Sequence, residues 1–339
     1  MAKAISSNLR LSTVDMMRGI ASLAVLFYHI THNHSFYGDF LTDADYLKKT
    51  GAFGWLGVQM FFVISGFVIP YTLYNNQYQI RFFLKFLSKR WLRIEPPYIV
   101  SILMLIGVGF FYSKIYRNYP YSIDWKQLYL HLFYLPQFFN VPWMNAIFWT
   151  LALEFQYYLV MAFTFQFFAH EKKWVRYATL MIFASIHFVL PETRFLTSYS
   201  SLFLAGIVIF MHRAKLLNTA ETLVFIALCT IYAFFQFPKD SLSISIVLLI
   251  SSLMILFLKY DPSWGKFTGK ISYSLYLTHG VIGHNIIMFS MYSNFVRNYY
   301  PFRVLMVFIG ITASITFAWY YYKFIEKPSQ DMSKKISYK

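Results

Sequence analysis

Within the apolar runs of this sequence sit ionisable residues whose spacing suits acid–base and anion-binding chemistry. The first set is Asp15, Arg18 and His29. Eleven positions separate Arg18 from His29, so on a helix the two side chains point almost the same way, roughly 16 Å apart along the axis. One face would carry a fixed cation near one end and a titratable imidazole toward the other. The pair reads equally as a snorkelling arginine and a histidine that caps a helix end. The second set holds Arg90 and Arg93, which share a helix face at three residues apart and suit phosphate groups. Neighbouring Lys85 and Lys89 read as ordinary topology-setting charge, and Glu95 is placed to pair with Arg93. The third set joins Trp149 and Glu154 with Ser272, Tyr273, Tyr276 and His279. Ser272, Tyr276 and His279 follow i, i+4, i+7 spacing and make one polar stripe. Glu154 lies about two turns inside its helix. A buried Glu and His either tie helices together or serve acid–base catalysis in a wet cavity. An ionisable group at the centre of a bilayer helix costs roughly 2.5–3.5 kcal/mol, so such groups usually face a cavity or a partner. Their recurrence in four or five runs favours a shared cavity.

The elements that must position these groups are membrane helices. Of 339 residues, 58% are hydrophobic, 22% aromatic and only 13% charged. Soluble domains carry about 25% charged residues, and half that is too little polar surface to cover a globule in water. Helices of about 20 apolar residues are expected near 16–34, 52–74, 95–113, 147–168, 174–191, 197–212, 219–237, 241–258, 270–290 and 304–324. Trp125 to Phe139 is apolar but short and interrupted by Pro136, so it reads as a re-entrant or interfacial piece. Gly54, Gly57, Ser65 and Gly66 are small residues that let helices approach closely. The expectation is an all-α integral membrane bundle of about ten spans, one domain over 1–339 with no fused soluble module, and no cleaved leader.

The formal charge of +16 suggests nucleic-acid binding until its distribution is seen. The basic residues cluster between apolar runs, as topology-setting charge does. One side collects Lys3, Arg10 and Arg18, then Arg81 to Arg93, Lys172 to Arg176, Arg213 and Lys215, Lys259 to Lys270, and Lys323 to Lys339. The other side keeps Lys48, Lys49, Lys114 and Arg117 beside Asp39, Asp43, Asp45, Asp124, Glu192 and Asp240. Ten spans with both termini cytoplasmic satisfy this bias. Lone Cys229 gives no disulfide and no cysteine metal site. His29, His32 and His34 cluster without a carboxylate partner close in sequence, so no metal is expected.

Taken in order, these motifs resemble the membrane acyltransferase family three of mostly bacterial O-acyltransferases. The resemblance runs from Asp15 to Pro328. It rests on Arg18 with His29, Phe61 to Phe67, Arg90 with Arg93, Trp149 with Leu151 and Glu154, Ser272 through His279, and Glu326 with Pro328. It implies a plasma-membrane enzyme that takes an acyl group, commonly acetyl, from cytoplasmic acyl-CoA and esterifies a hydroxyl of a surface or exported glycan. Acceptors of that class include lipopolysaccharide O-antigen, capsule, exopolysaccharide and lipid-linked saccharides. The implied roles are donor binding by Arg18, Arg90 and Arg93, and proton transfer by His29 with Glu154 orienting the imidazole or the sugar. Trp149, Ser272, Tyr273, Tyr276 and His279 would line the tunnel or hold the acceptor, and no permanent cofactor is implied. Two other classes share the pattern of polar residues in spans. One is a transporter or flippase of a glycan or lipid-linked intermediate, which would often show repeat symmetry. The other is a non-catalytic partner of glycan assembly. O-Acylation of a small secondary metabolite is a variant of the enzymatic reading.

Overall fold

The computed structural model describes residues 12–35, 38–115, 120–260 and 262–338. The topology charges Lys3, Arg10, Arg117 and Lys339 lie outside the described residues. Helices dominate, and a two-residue hairpin, His34–Ser35 with Gly38–Asp39, is the one sheet among the described residues. Each of the ten expected segments is helical. They are α1 (Ser12–Thr31), α2 (Gly57–Asn75), α3 (Phe83–Ile115), α4 (Phe148–Phe168), α5 (Lys173–Val189), α6 (Ser200–Arg213), α7 (Thr219–Gln236), α8 (Ser241–Phe257), α9 (Ser263–His279) and α10 (Tyr300–Tyr321). Trp125–Leu132 forms a short helix, capped at its start by the Asp124 carboxylate accepting the Gln127 amide.

Four helical stretches are long and apolar enough to cross a membrane by length and composition: Tyr46–Asn75, Ile80–Ile115, Thr219–Gln236 and Tyr300–Lys334. The others are shorter or carry more polar residues. The outer faces of α7 and α8 expose Val224, Leu228, Ile231, Phe235, Leu242 and Ile250. An outward apolar face of that extent suits hydrocarbon rather than water. The protein is an all-α membrane protein.

Two close helix pairs build the interior. α2 crosses α6 where Gly66 meets Gly206; a Cβ on Gly66 would stand 2.4 Å from the Phe203 carbonyl oxygen. α1 runs along α9, where a Cβ on Gly269 would stand 2.1 Å from the Asp15 carbonyl oxygen. Only glycine permits such backbone approach.

The expected start of the third helix at residue 95 needs correction. α3 begins at Phe83 and continues through Pro96 and Pro97. A proline in a helix strips the hydrogen bond from the carbonyl four residues earlier, here those of Leu92 and Arg93. Both carbonyls instead accept the Ser329 hydroxyl, the latter at 3.2 Å. The Ile94 carbonyl accepts Tyr273 Oη at 2.9 Å, and Tyr321 Oη bonds the Pro97 carbonyl. The chain makes the same repair in α2, where Pro70 frees the Gly66 carbonyl and Tyr157 Oη donates to it at 3.2 Å. Buried carbonyls with new partners let the helix pass its prolines intact.

Candidate active site

The continuous α3 brings Arg90 and Arg93 to the wall of a cavity inside the bundle. The cavity measures about 920 Å³, counting the space open at its mouth. α1 contributes Arg18; α2 contributes Phe61, Phe62 and Ser65; α4 contributes Thr150, Leu151 and Glu154; α9 contributes Tyr273 and Tyr276; Glu326 closes one side. Three guanidinium groups thus face two carboxylates. Arg90 is 7% exposed, and its guanidinium lies 5.4 Å from the Tyr158 ring and 5.5 Å from the Phe86 ring. The Arg90 Nε has no hydrogen-bond partner among the described residues. Such a group is expensive to leave unmatched, and an anionic ligand would match it.

Each of the carboxylates is held by hydrogen bonds. Tyr158 Oη donates to Glu154 Oε1 at 2.5 Å and Ser65 Oγ donates to the same oxygen at 3.4 Å. Glu154 therefore faces the arginine cavity. Glu326 Oε2 accepts the Ser274 amide and hydroxyl at 3.1 and 2.5 Å, and Oε1 accepts Gln330 at 2.7 Å. Glu95 does not pair with Arg93; Tyr134 Oη donates to its Oε2 at 2.7 Å.

His29 and His279 meet across α1 and α9, with ring centroids 5.1 Å apart. Neither lines the arginine cavity. Tyr276 links the two places. Its hydroxyl lies 2.8 Å from Thr150 Oγ1 at the cavity wall, and its ring is 5.9 Å from that of His279. The inner end of the cavity thus stops one side chain short of the histidine pair. His279 Nδ1 lies 2.8 Å from the Tyr276 carbonyl oxygen, the geometry of a donated hydrogen bond, which leaves Nε2 as the free nitrogen.

Of the expected tunnel residues, Tyr273 and Tyr276 line the cavity, but the Tyr273 hydroxyl is committed to the Ile94 carbonyl. Ser272 is fully buried and donates to the Gly269 carbonyl of its own helix, so it reaches no cavity. Trp149 lines a different cavity, packed against Tyr199 and Phe62. Ser65, Thr150, Tyr158 and Glu326 were not expected among the site residues. Of these, Ser65, in the Phe61 to Phe67 motif, and Glu326, in its Glu-x-Pro motif, carried a sequence signal.

A family model described as "Acyltransferase domain" matches residues 11–323. The O-acetyltransferase OatA of Staphylococcus aureus is 25% identical over 93% of this chain and 56% of its own length. The peptidoglycan O-acetyltransferase OatA of Listeria monocytogenes is 26% identical over 50% of this chain and 26% of its own. The chain spans about half or less of the length of these curated relatives, and no solved structure matches it. With the match covering nearly its whole length, the chain belongs to the membrane acyltransferase family three.

Proposed function

We propose that this protein is an O-acetyltransferase that moves an acetyl group from cytoplasmic acetyl-CoA to a hydroxyl of a glycan in or beyond the plasma membrane. In this reading it is a ten-span protein with both termini cytoplasmic. The observation that carries the proposal is the cavity with three arginines, one of them buried with an unmatched Nε. Coenzyme A presents a diphosphate and a further phosphate, and guanidinium groups bind phosphate through paired donors. Phe61, Val58, Ile64 and Ile69 give the cavity an apolar wall suited to a pantetheine arm. The names of the relatives supply acetyl as the group and, in one case, peptidoglycan as the acceptor.

The thioester carbonyl sits at the inner end, beside Tyr276 and Thr150. The acceptor hydroxyl attacks that carbonyl while His29 takes its proton. A neutral imidazole is a competent base near pH 7 because its ordinary pKa is about 6.5. The tetrahedral oxyanion gains hydrogen bonds from the Tyr276 and Thr150 hydroxyls. The C–S bond then breaks, and the imidazolium returns its proton to the departing thiolate. Glu154 acts through charge, favouring the imidazolium and tempering the guanidinium excess, while His279 holds the ring of His29 in place.

The proposal is tested in cells lacking this gene, complemented with wild type, His29→Ala or Arg18→Ala at matched membrane levels, with glycan O-acetyl ester as the readout. Restoration by wild type alone supports it. Restoration by both variants overturns the site, and no change in ester with wild type overturns the glycan acceptor.

A further inference from the structure

A second cavity begins where α4 begins. It measures about 970 Å³, counting the space open at its mouth. Three aromatic side chains, Trp143, Trp149 and Tyr199, form its walls. Gln137, Asn140 and Arg194 supply donors and acceptors between them. Glu192 pairs with Arg194 at 2.5 Å, so the lining is close to neutral, unlike the arginine cavity. Arg194 keeps an Nε without a partner among the described residues.

The walls are fixed in advance. His131 is fully buried; its Nε2 accepts the Met144 amide at 3.0 Å, so its Nδ1 is the nitrogen that donates to the Gln127 carbonyl at 2.7 Å. Gln127 Nε2 donates to the Pro142 carbonyl at 2.8 Å. Together they clamp the loop that carries Trp143. On the facing loop, Gln156 binds the Arg194 carbonyl and the Leu196 amide at 2.8 and 2.9 Å. Preset walls lower the ordering cost of binding.

The two cavities abut. Trp149 lines one and the next residue, Thr150, lines the other. Phe62, on the arginine cavity, packs 5.1 Å from Tyr199 and 6.1 Å from Trp149. A single aromatic layer separates them.

We propose that the second cavity is a saccharide subsite, which holds neutral pyranose rings of the acceptor so that a hydroxyl points inward past Phe62. Flat aromatic faces suit the apolar face of a pyranose. Its rim of hydroxyls needs donors and acceptors together, which the amides and the paired Glu192–Arg194 provide. An acyl chain would find too many polar groups, and a phosphate would find no excess of cation. The purpose of such binding rests on the acyltransferase reading above, but the binding itself does not.

The test uses the full-length protein in nanodiscs, with chitotetraose binding read by saturation-transfer NMR and transfer from acetyl-CoA read separately. Wild type should bind the tetrasaccharide, and Trp143→Ala should weaken it by about tenfold. Asn140 has a φ of 53°, so Asn140→Gly keeps the left-handed backbone while removing the amide, and should also weaken binding. Phe139→Ala, on the same loop but outside the cavity lining, should bind as wild type does. The same saccharide on a polyprenyl diphosphate distinguishes a lipid-linked acceptor, which would bind more tightly, from a free strand, which would not; the losses in the variants decide the subsite in both cases. Binding unchanged in Trp143→Ala and Asn140→Gly, or no binding by wild type, overturns the subsite. Absence of transfer with binding lost in both variants would keep the subsite and reject the acyltransferase reading.

Discussion

At the scale of single residues, Arg90 is the charge on which the proposed donor site turns. Its guanidinium is buried between Phe86 and Tyr158 rather than extended to an edge. Arg90→Lys keeps the charge but loses the planar fork and its stacking. It should weaken coenzyme A binding by about tenfold, and Arg90→Ala by more; a titration with coenzyme A in detergent measures both. Glu154→Gln removes negative charge beside the guanidinium groups. It should tighten coenzyme A and lower the rate of transfer, seen as opposite changes in Kd and kcat. The arginines were legible in the sequence because charge within apolar runs demands an explanation. The commitment of the Tyr273 hydroxyl to Ile94 and the burial of Ser272 against Gly269 were not, because spacing along one helix does not say what the facing helix offers.

At the scale of elements, the position of the arginines depends on α3 surviving two consecutive prolines. The Ser329 hydroxyl serves both carbonyls that those prolines strand. Ser329→Ala should orphan them at a cost of about 1–3 kcal/mol, read as a lower midpoint of thermal unfolding together with weaker coenzyme A binding. Unchanged stability would mean that those carbonyls find other partners. Ten helices were legible from apolar periodicity and length, with ends within a few residues for most. The start of α3 was not, because a Pro-Pro pair ordinarily marks a boundary and its rescue comes from a residue far along the chain. Most of the second cavity was equally hidden: apart from Trp149 on α4, its lining comes from two segments, 137–143 and 192–199, and sequence periodicity speaks only of helices.

At the scale of the whole molecule, cations between the helices hold backbone carbonyls. Arg176 and Arg213 bind the last carbonyls of neighbouring segments, Leu216 for the former and Ile255 with Leu256 for the latter. These cations thus close helix ends. In the loop after α1, His34 and then Lys48 hold the Asp39 carboxyl below the usual carboxylate range. Their contribution is present above that range and is lost as pH falls through the lowered value. Protection of the His34 and Asp39 amides, taken relative to the intrinsic exchange rate at each pH, should therefore fall on acidification below about pH 4. Cysteines placed at Asp43 and Glu192 should react with an impermeant reagent from outside the cell, and one at Lys172 should not. The native Cys229 is buried and would stay silent.

The central claim, that the arginine cavity binds the acyl donor, is tested most directly by calorimetric titration of coenzyme A into the purified protein and into Arg18→Gln/Arg90→Gln/Arg93→Gln. The account predicts one site on the wild type, weakened at higher salt, and at least about a hundredfold loss in the triple variant if each arginine contributes about 1 kcal/mol or more. Equal affinity in a triple variant that remains folded would contradict it.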